Sequence, residues 1–215
     1  MIKPLIPTNE KERLESLRSL NILDTLPEER FDRITHIAAH FLKVPISQIN
    51  LIDADRVFIK SSYGLNAKES SRELSFCSHT INENNILEVP DARLDERFSD
   101  NPFVVGDPNV KFYAGMPISG PNGMHVGSLC VVDTTYPRTL TEEERNLLKD
   151  LAKWAELEIN VYQLSKIMDE VKTKQTELES KNQELEKLNK FMVDREMKMI
   201  ELKEKLKKYE LSEPA

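Results

Sequence analysis

The sequence predicts an α+β protein that ends in a long coiled-coil helix. Three observations carry this reading. Two amphipathic stretches precede Pro45, and about five short, mostly antiparallel segments rich in β-formers follow. An apolar residue then recurs at every seventh position almost to the end of the chain.

The first stretch, "NEKERLESLRSLNIL", carries Leu14 and Leu17 at helical spacing, with Thr8 or Asn9 placed to cap it. The second, "LPEERFDRITHIAAHFLKV", opens on Pro27 and ends at Pro45. Phe31, Ile34, Ala38, Phe41 and Leu42 share one face, which predicts burial of that face. His36 and His40 lie one turn apart on the opposite, solvated face, without the glutamate of a metalloprotease helix.

"SQINLIDAD" and "RVFIKSSYG", separated by Asp53 to Asp55, predict a hairpin. "ILEVPDA" reads as a third strand. "VKFYAGMPIS" and "MHVGSLCVVD" flank "GPNG", where Asn122-Gly123 is a turn signal. The connection "RLDERFSDNPFVVGDPN" is too long and too aromatic for a plain loop.

The last helix begins at "TEEERNLLKDLAKWAELEIN", where Thr141 and Glu144 have the spacing of a capping box. Leu148, Leu151, Ala155 and Ile159 form one apolar face, expected to pack on the sheet. A second row is the expected dimer seam: Trp154, Leu157, Val161, Leu164, Val171, Leu178, Leu185 and Met192, continued by Met199 and Leu206. Leu147 is expected beside that seam. Gln175, Asn182 and Asn189 turn the companion row polar, and after Leu188 it shifts phase to Leu202 and Tyr209. Buried asparagine there favours one register and a dimer.

Composition narrows the function. A formal charge of -7 disfavours a large phosphate-binding surface, so no nucleic-acid partner is expected. Cys77 and Cys130 are too few for a disulfide framework, and a reduced, cytoplasmic setting follows. No apolar run approaches the ~20 residues of a membrane span, so no direct membrane insertion is expected. With 6 glycines, a Gly-rich phosphate cradle is hard to build, and no GxSxG elbow is present.

The ordered set "FCSHTI", "EVPDARLDERFSDNPFV", "VKFYAGMPI", "GMHVGSLCVVD" and "PRTLTEEERNLLKDLA" resembles the GAF domain, in the bacterial subgroup found ahead of histidine kinases and diguanylate cyclases. The resemblance covers roughly residues 14 to 164. "LEKLNKFMVDREMKMIELKEKL" is similar to helical linkers of signalling proteins. The resemblance implies a GAF/PAS-like central antiparallel sheet, helices on one side, and a small-molecule pocket roofed by loops on the other. It divides the chain into an N-terminal helix (1–25), a GAF domain (26–160), a coiled-coil helix (161–210) and a tail (211–215).

"FCSHTI" is then expected where the chain enters a short helix over the pocket. Cys77 reads as a pocket-facing thiol that contacts a ligand or senses oxidants, or as a small buried packing residue. The expected ligand-binding set is Cys77, His79, Asp91, Arg97, Phe98, Phe112 and Tyr113. Asp95, Asn101 and Phe103 belong to the roof segment, with the alternative that its charges pair with one another. Phe112, Tyr113 and Leu129 are assigned to the sheet interior or the pocket floor. Cys130 stands on a strand whose neighbours Leu129 and Val131 point to the opposite face.

No catalytic residue, no metal ligand and no enzymatic activity is expected, and the cofactor is unknown. The signature of cyclic-nucleotide-binding members and the cysteine motifs of the family's free methionine sulfoxide reductases are not visible. The expected protein is a sensor of the two-component type. It binds an unknown small molecule or senses redox state, and relays this through a homodimeric coiled coil to a histidine kinase or other signalling partner, with a kinase-type or cyclase-type output. The alternatives are a dimeric adaptor without a ligand and a GAF-type free methionine sulfoxide reductase.

Overall fold

The computed structural model describes residues 1–210, except the side chains of residues 162, 163, 166 and 206–210. Leu206, Tyr209 and the 211–215 tail therefore fall outside what is described. The chain forms two compact units, Met1–Leu164 and Ser165–Ala215.

The first unit is built on a six-stranded sheet: β1 (Ile46–Ile52), β2 (Arg56–Tyr63), β3 (Glu69–Ser71), β4 (Leu87–Val89), β5 (Phe112–Ser119) and β6 (His125–Asp133). Its order is β3-β2-β1-β6-β5-β4, antiparallel throughout. The strand absent from the sequence reading is β3. Its three residues are half-exposed or exposed and carry no apolar pattern.

The helices are α1 (Glu10–Ser19), α2 (Glu29–Leu42), α3 (Phe76–Thr80), α4 (Pro102–Val105) and α5 (Glu142–Glu210). Leu17 of α1, Phe31, Ile34, Ala38 and Leu42 of α2, and Leu148, Leu151, Ala155 and Ile159 of α5 share one buried cluster. The sheet contributes Ile49, Leu51, Phe112, Leu129 and Val131 to the same cluster. Each such side chain, fully buried, contributes about 1.5–3 kcal/mol of transfer free energy. The alternate positions of the same strands, including Ile46, Tyr113, Cys130 and Val132, form a second cluster under α3.

Thr141 and Glu144 make the reciprocal capping box that opens α5, with Thr141 N donating to Glu144 Oε2 at 2.8 Å and Glu144 N donating to Thr141 Oγ1 at 3.2 Å. Other local expectations need correction. Asn9 occupies the α1 cap position without a capping bond, and its amide donates to Met124 Sδ instead. Phe41 is 65% exposed rather than part of the buried α2 face. Lys43, in the left-handed conformation with φ of 53°, closes α2 ahead of Pro45. Leu147 is half-buried and packs against the core.

The second unit is described by the remainder of α5. Val171, Leu178, Leu185 and Met192 are exposed on it, as are Trp154, Leu157, Val161 and Leu164 in the first unit. No helix among the described residues is long and apolar enough to cross a membrane.

Candidate functional site

A cavity of about 260 Å³ lies on the sheet face opposite the long helices. Its floor is the β1, β2, β5 and β6 surface at Ile46, Gln48, Asn50, Val57, Ile59, Tyr113, Cys130 and Val132. Ser75, Phe76 and Cys77 wall it, Phe103, Pro108 and Val110 come from the long connection, and Glu69, Ser70 and Ser71 bring it to the surface.

Strand alternation sets which side chains face it. Gln48 and Asn50 are amide side chains at i and i+2 in the central strand, and both line the cavity. Cys130 does the same from β6. Ser75 caps α3 by accepting from Cys77 N at 3.1 Å, which turns the thiol inward.

These groups form one buried network. Asn50 Nδ2 lies 3.1 Å from Cys77 Sγ, 3.4 Å from Cys130 Sγ and 3.4 Å from Gln48 Oε1, and donates toward all three. Tyr113 Oη donates to Cys77 Sγ at 3.4 Å and shares a 2.6 Å hydrogen bond with Thr80 Oγ1. Gly115 makes room for it: a Cβ there would sit 2.2 Å from Tyr113 Oη and 2.8 Å from Thr80 Oγ1. Both cysteines are free and buried.

The two thiols titrate as a pair. A hydrogen bond from Cys130 lowers the Cys77 thiol against the opposing effect of burial, with Tyr113 and Asn50 adding to it. The same bond, together with burial, pushes Cys130 well up. The first proton therefore leaves Cys77, giving a thiolate held by donors inside the cavity. Burial and the charge on Cys77 raise Tyr113, which stays a neutral donor.

Of the expected ligand-binding residues, the structure places Cys77 and Tyr113 in the cavity lining. The others lie elsewhere. Phe112 points to the opposite sheet face, into the helix-side core, because it neighbours Tyr113 on one strand. His79 is half-buried on the far side of α3, edge-on to Phe98 with ring centroids 4.8 Å apart. Burial, and the charge on Arg97, lower its pKa. Phe98 stacks on Phe76 at 4.0 Å and so backs the wall instead of forming it. Asp91 pairs with Arg93 and Arg97 with Asp95, each at 2.7 Å, so the roof charges satisfy one another. Asn101 caps α4 through Phe103 N and donates to Leu74 O at 2.8 Å, joining the roof to the segment before α3. Leu129 faces the helix-side core.

Gln48, Asn50 and Gly115 are site residues that the sequence reading missed. The signal for the first two was present: two amide side chains spaced by two inside "ISQINLI". His36 and His40 are exposed on α2, with His36 stacked on Tyr63 at 5.1 Å. Among the described residues no three His, Cys, Asp or Glu side chains are grouped to hold a metal ion.

Comparison with known proteins follows this geometry. A family model described as the GAF domain matches residues 26–159. The chain is 34% identical over 170 residues, 79% of its length, to a cyclic di-GMP phosphodiesterase of Pseudomonas aeruginosa, and spans 29% of that relative. Among solved structures it is similar to the GAF domain of an Acinetobacter phosphoenolpyruvate-protein phosphotransferase. There the TM-score is 0.52 at 19% identity, covering 71% of this chain and 93% of that one. It is also similar to the chromophore-binding domain of a bacteriophytochrome from R. palustris. Here the TM-score is 0.51 at 13% identity, covering 74% and 64% of the two chains. At these identities the structural likeness speaks for the fold alone. The expectation of no enzymatic activity is overturned by the Pseudomonas relative, whose name is that of an enzyme.

Proposed function

Because the chain belongs to the GAF domain family, we propose that its cavity receives a small molecule as the input of a signalling protein. The observation that carries this reading is the cavity itself: open space beside the buried polar cluster of Asn50, Cys77, Cys130 and Tyr113. A side-chain-filled interior, as a pure adaptor would have, offers neither. Binding acts through α3 and the roof, which hold one wall of the cavity.

The output is enzymatic, of the kinase, cyclase or cyclic di-GMP phosphodiesterase class. The last of these is supported by the name of the Pseudomonas relative. The relay is a homodimer in the cytoplasm, with Trp154, Leu157, Val161, Leu164, Val171, Leu178, Leu185 and Met192 pairing in a coiled coil. Its support is the heptad spacing and the exposure of all eight side chains on the single chain. The partner is a histidine kinase or another signalling protein; nucleic acid and direct membrane insertion play no part.

A second reading, oxidation at Cys77, is favoured by the donors around its sulfur, Asn50 Nδ2 at 3.1 Å and Tyr113 Oη at 3.4 Å.

Solvent extraction of freshly purified protein, followed by mass spectrometry of the extract, tests the ligand reading. Wild type should release a small molecule that is not carried by Ala67→Trp, which adds an indole to a half-buried residue of the cavity lining. Identical empty extracts from both, even after supplementation with cell extract, would defeat it.

A further inference from the structure

We propose that a peroxide joins Cys77 to Cys130 in a disulfide within one chain, tying α3 to β6. This rests on the reading of oxidation at Cys77 above, and names the class of oxidant and the second thiol that completes the reaction.

Proximity is the first support. The two sulfurs share one donor: Asn50 Nδ2 lies 3.1 Å from Cys77 Sγ and 3.4 Å from Cys130 Sγ. Both cysteines are free, and the chain has no others. Each thiol therefore has one possible disulfide partner inside its own fold.

A disulfide holds its sulfurs about 2 Å apart, so the pair has to draw together. The two sides differ in how far they can yield. Cys130 stands on β6, paired with Gln48 of β1 on one side and Gly115 of β5 on the other. Its carbonyl also accepts from Ser47 Oγ at 3.1 Å. Cys77 stands on α3, a helix of five residues with little stability of its own. The helix is the side that moves, and the new bond fastens the cavity wall to the centre of the sheet.

Access is the second support. Cys77 and Cys130 are 4% and 1% exposed, so a reagent reaches them from inside the protein. Both line the cavity, whose volume of about 260 Å³ exceeds the ~150 Å³ that admits benzene. A peroxide fits such a space; a peptide disulfide is too large for it.

The donors set the order of events. Cys77 Sγ accepts from Tyr113 Oη at 3.4 Å as well as from Asn50, so its thiolate is the attacking group. It bonds to one peroxide oxygen as the O–O bond breaks. The other oxygen leaves with a proton from water, as water or an alcohol, and Cys77 becomes a sulfenic acid. Cys130 sulfur then attacks Cys77 sulfur. The S–S bond forms, the S–O bond breaks, and the hydroxide takes the Cys130 proton to leave as water. Two electrons pass from the thiol pair to the peroxide.

Treatment of the reduced whole chain with hydrogen peroxide, with and without dimedone, followed by intact mass and non-reducing peptide mapping, tests this. Wild type should lose two hydrogen atoms, show its Cys77 and Cys130 peptides linked within one chain, and regain both thiols with dithiothreitol. Cys130→Ser should stop at the sulfenic acid and carry dimedone on Cys77. The wild-type map decides the matter alone if that variant does not fold. Wild type that ends with dimedone on Cys77 and a free Cys130 thiol, or with the cysteines linking two chains, overturns the proposal and leaves the reading of oxidation at Cys77 standing. Two untouched thiols, at a peroxide dose that oxidises both in the urea-unfolded chain, would remove the proposal and that reading together.

Discussion

Asn50 Nδ2 donates to Cys77 Sγ at 3.1 Å, tying the central strand β1 to the five-residue helix α3. A helix so short has little stability of its own. It is held by its Ser75 cap, by Phe76 stacked between Phe98 and Tyr113, and by this contact. An occupant that competes for Asn50 thus acts on one of the few bonds that fix the cavity wall.

Cys77 should be the first thiol to react. Its thiolate is favoured by Cys130, Tyr113 and Asn50, so alkylation by iodoacetamide should rise with pH at a midpoint below the ~8.5 of an ordinary thiol. Peptide mapping should find the label on Cys77 before Cys130, and Asn50→Leu should move the midpoint upward. An ordinary midpoint in the wild type would contradict the described network.

Gly115→Ala should damage the site without touching a catalytic group or the helix-side core. The new methyl overlaps Tyr113 Oη and Thr80 Oγ1, which cannot both stay. Chemical denaturation should show a loss of about 1–3 kcal/mol, as for other overpacked interiors. Tyr113→Phe in the same chain should recover part of it.

Glu10 should make the fold acid-sensitive. Burial pushes its carboxyl up, but the bonds from Arg13 and Arg72 dominate and hold it at about 2, against an ordinary 4.5. The folded-state value is depressed, so the stabilisation is fully present above pH 4.5 and is lost as pH falls toward 2. Glu10→Gln should cost about 1–3 kcal/mol at pH 7, because Arg13 and Arg72 are buried and lose their carboxylate. Thermal melts should show the gap between variant and wild type closing at pH 2.

The proposed dimer has its own test. Sedimentation equilibrium at micromolar concentration should give two chains per particle. Leu178→Lys combined with Leu185→Lys should give one, because charge at two successive positions of one seam row opposes pairing. A wild-type particle of one chain would remove the relay.

Much of this fold was legible because local rules agree with tertiary packing. The Thr141–Glu144 box, the α2 and α5 faces and the hairpins all follow from spacing. So does the division of Cys130 from Leu129 and Val131 across the sheet. The site was less legible for identifiable reasons. Phe112 and Tyr113 are adjacent on a strand, so only one of them can face the cavity. Asp91 and Arg97 find partners two residues away, a local satisfaction that charge pattern alone does not separate from ligand binding. Gly115 matters only because the side chain of Tyr113 folds over it. Phe41 shares the buried stripe on a helical wheel, yet α2 ends at Leu42 and leaves it exposed.

The stability of Val132→Phe tests the central claim, that the space beside Asn50 and Cys77 is vacant room for an occupant. Val132 lines the cavity from β6. If the room is real, the larger ring fills it, and the urea midpoint should stay level or rise while the retained molecule is lost. A drop of about 1–3 kcal/mol, the ordinary result of forcing bulk into a packed core, would contradict the account.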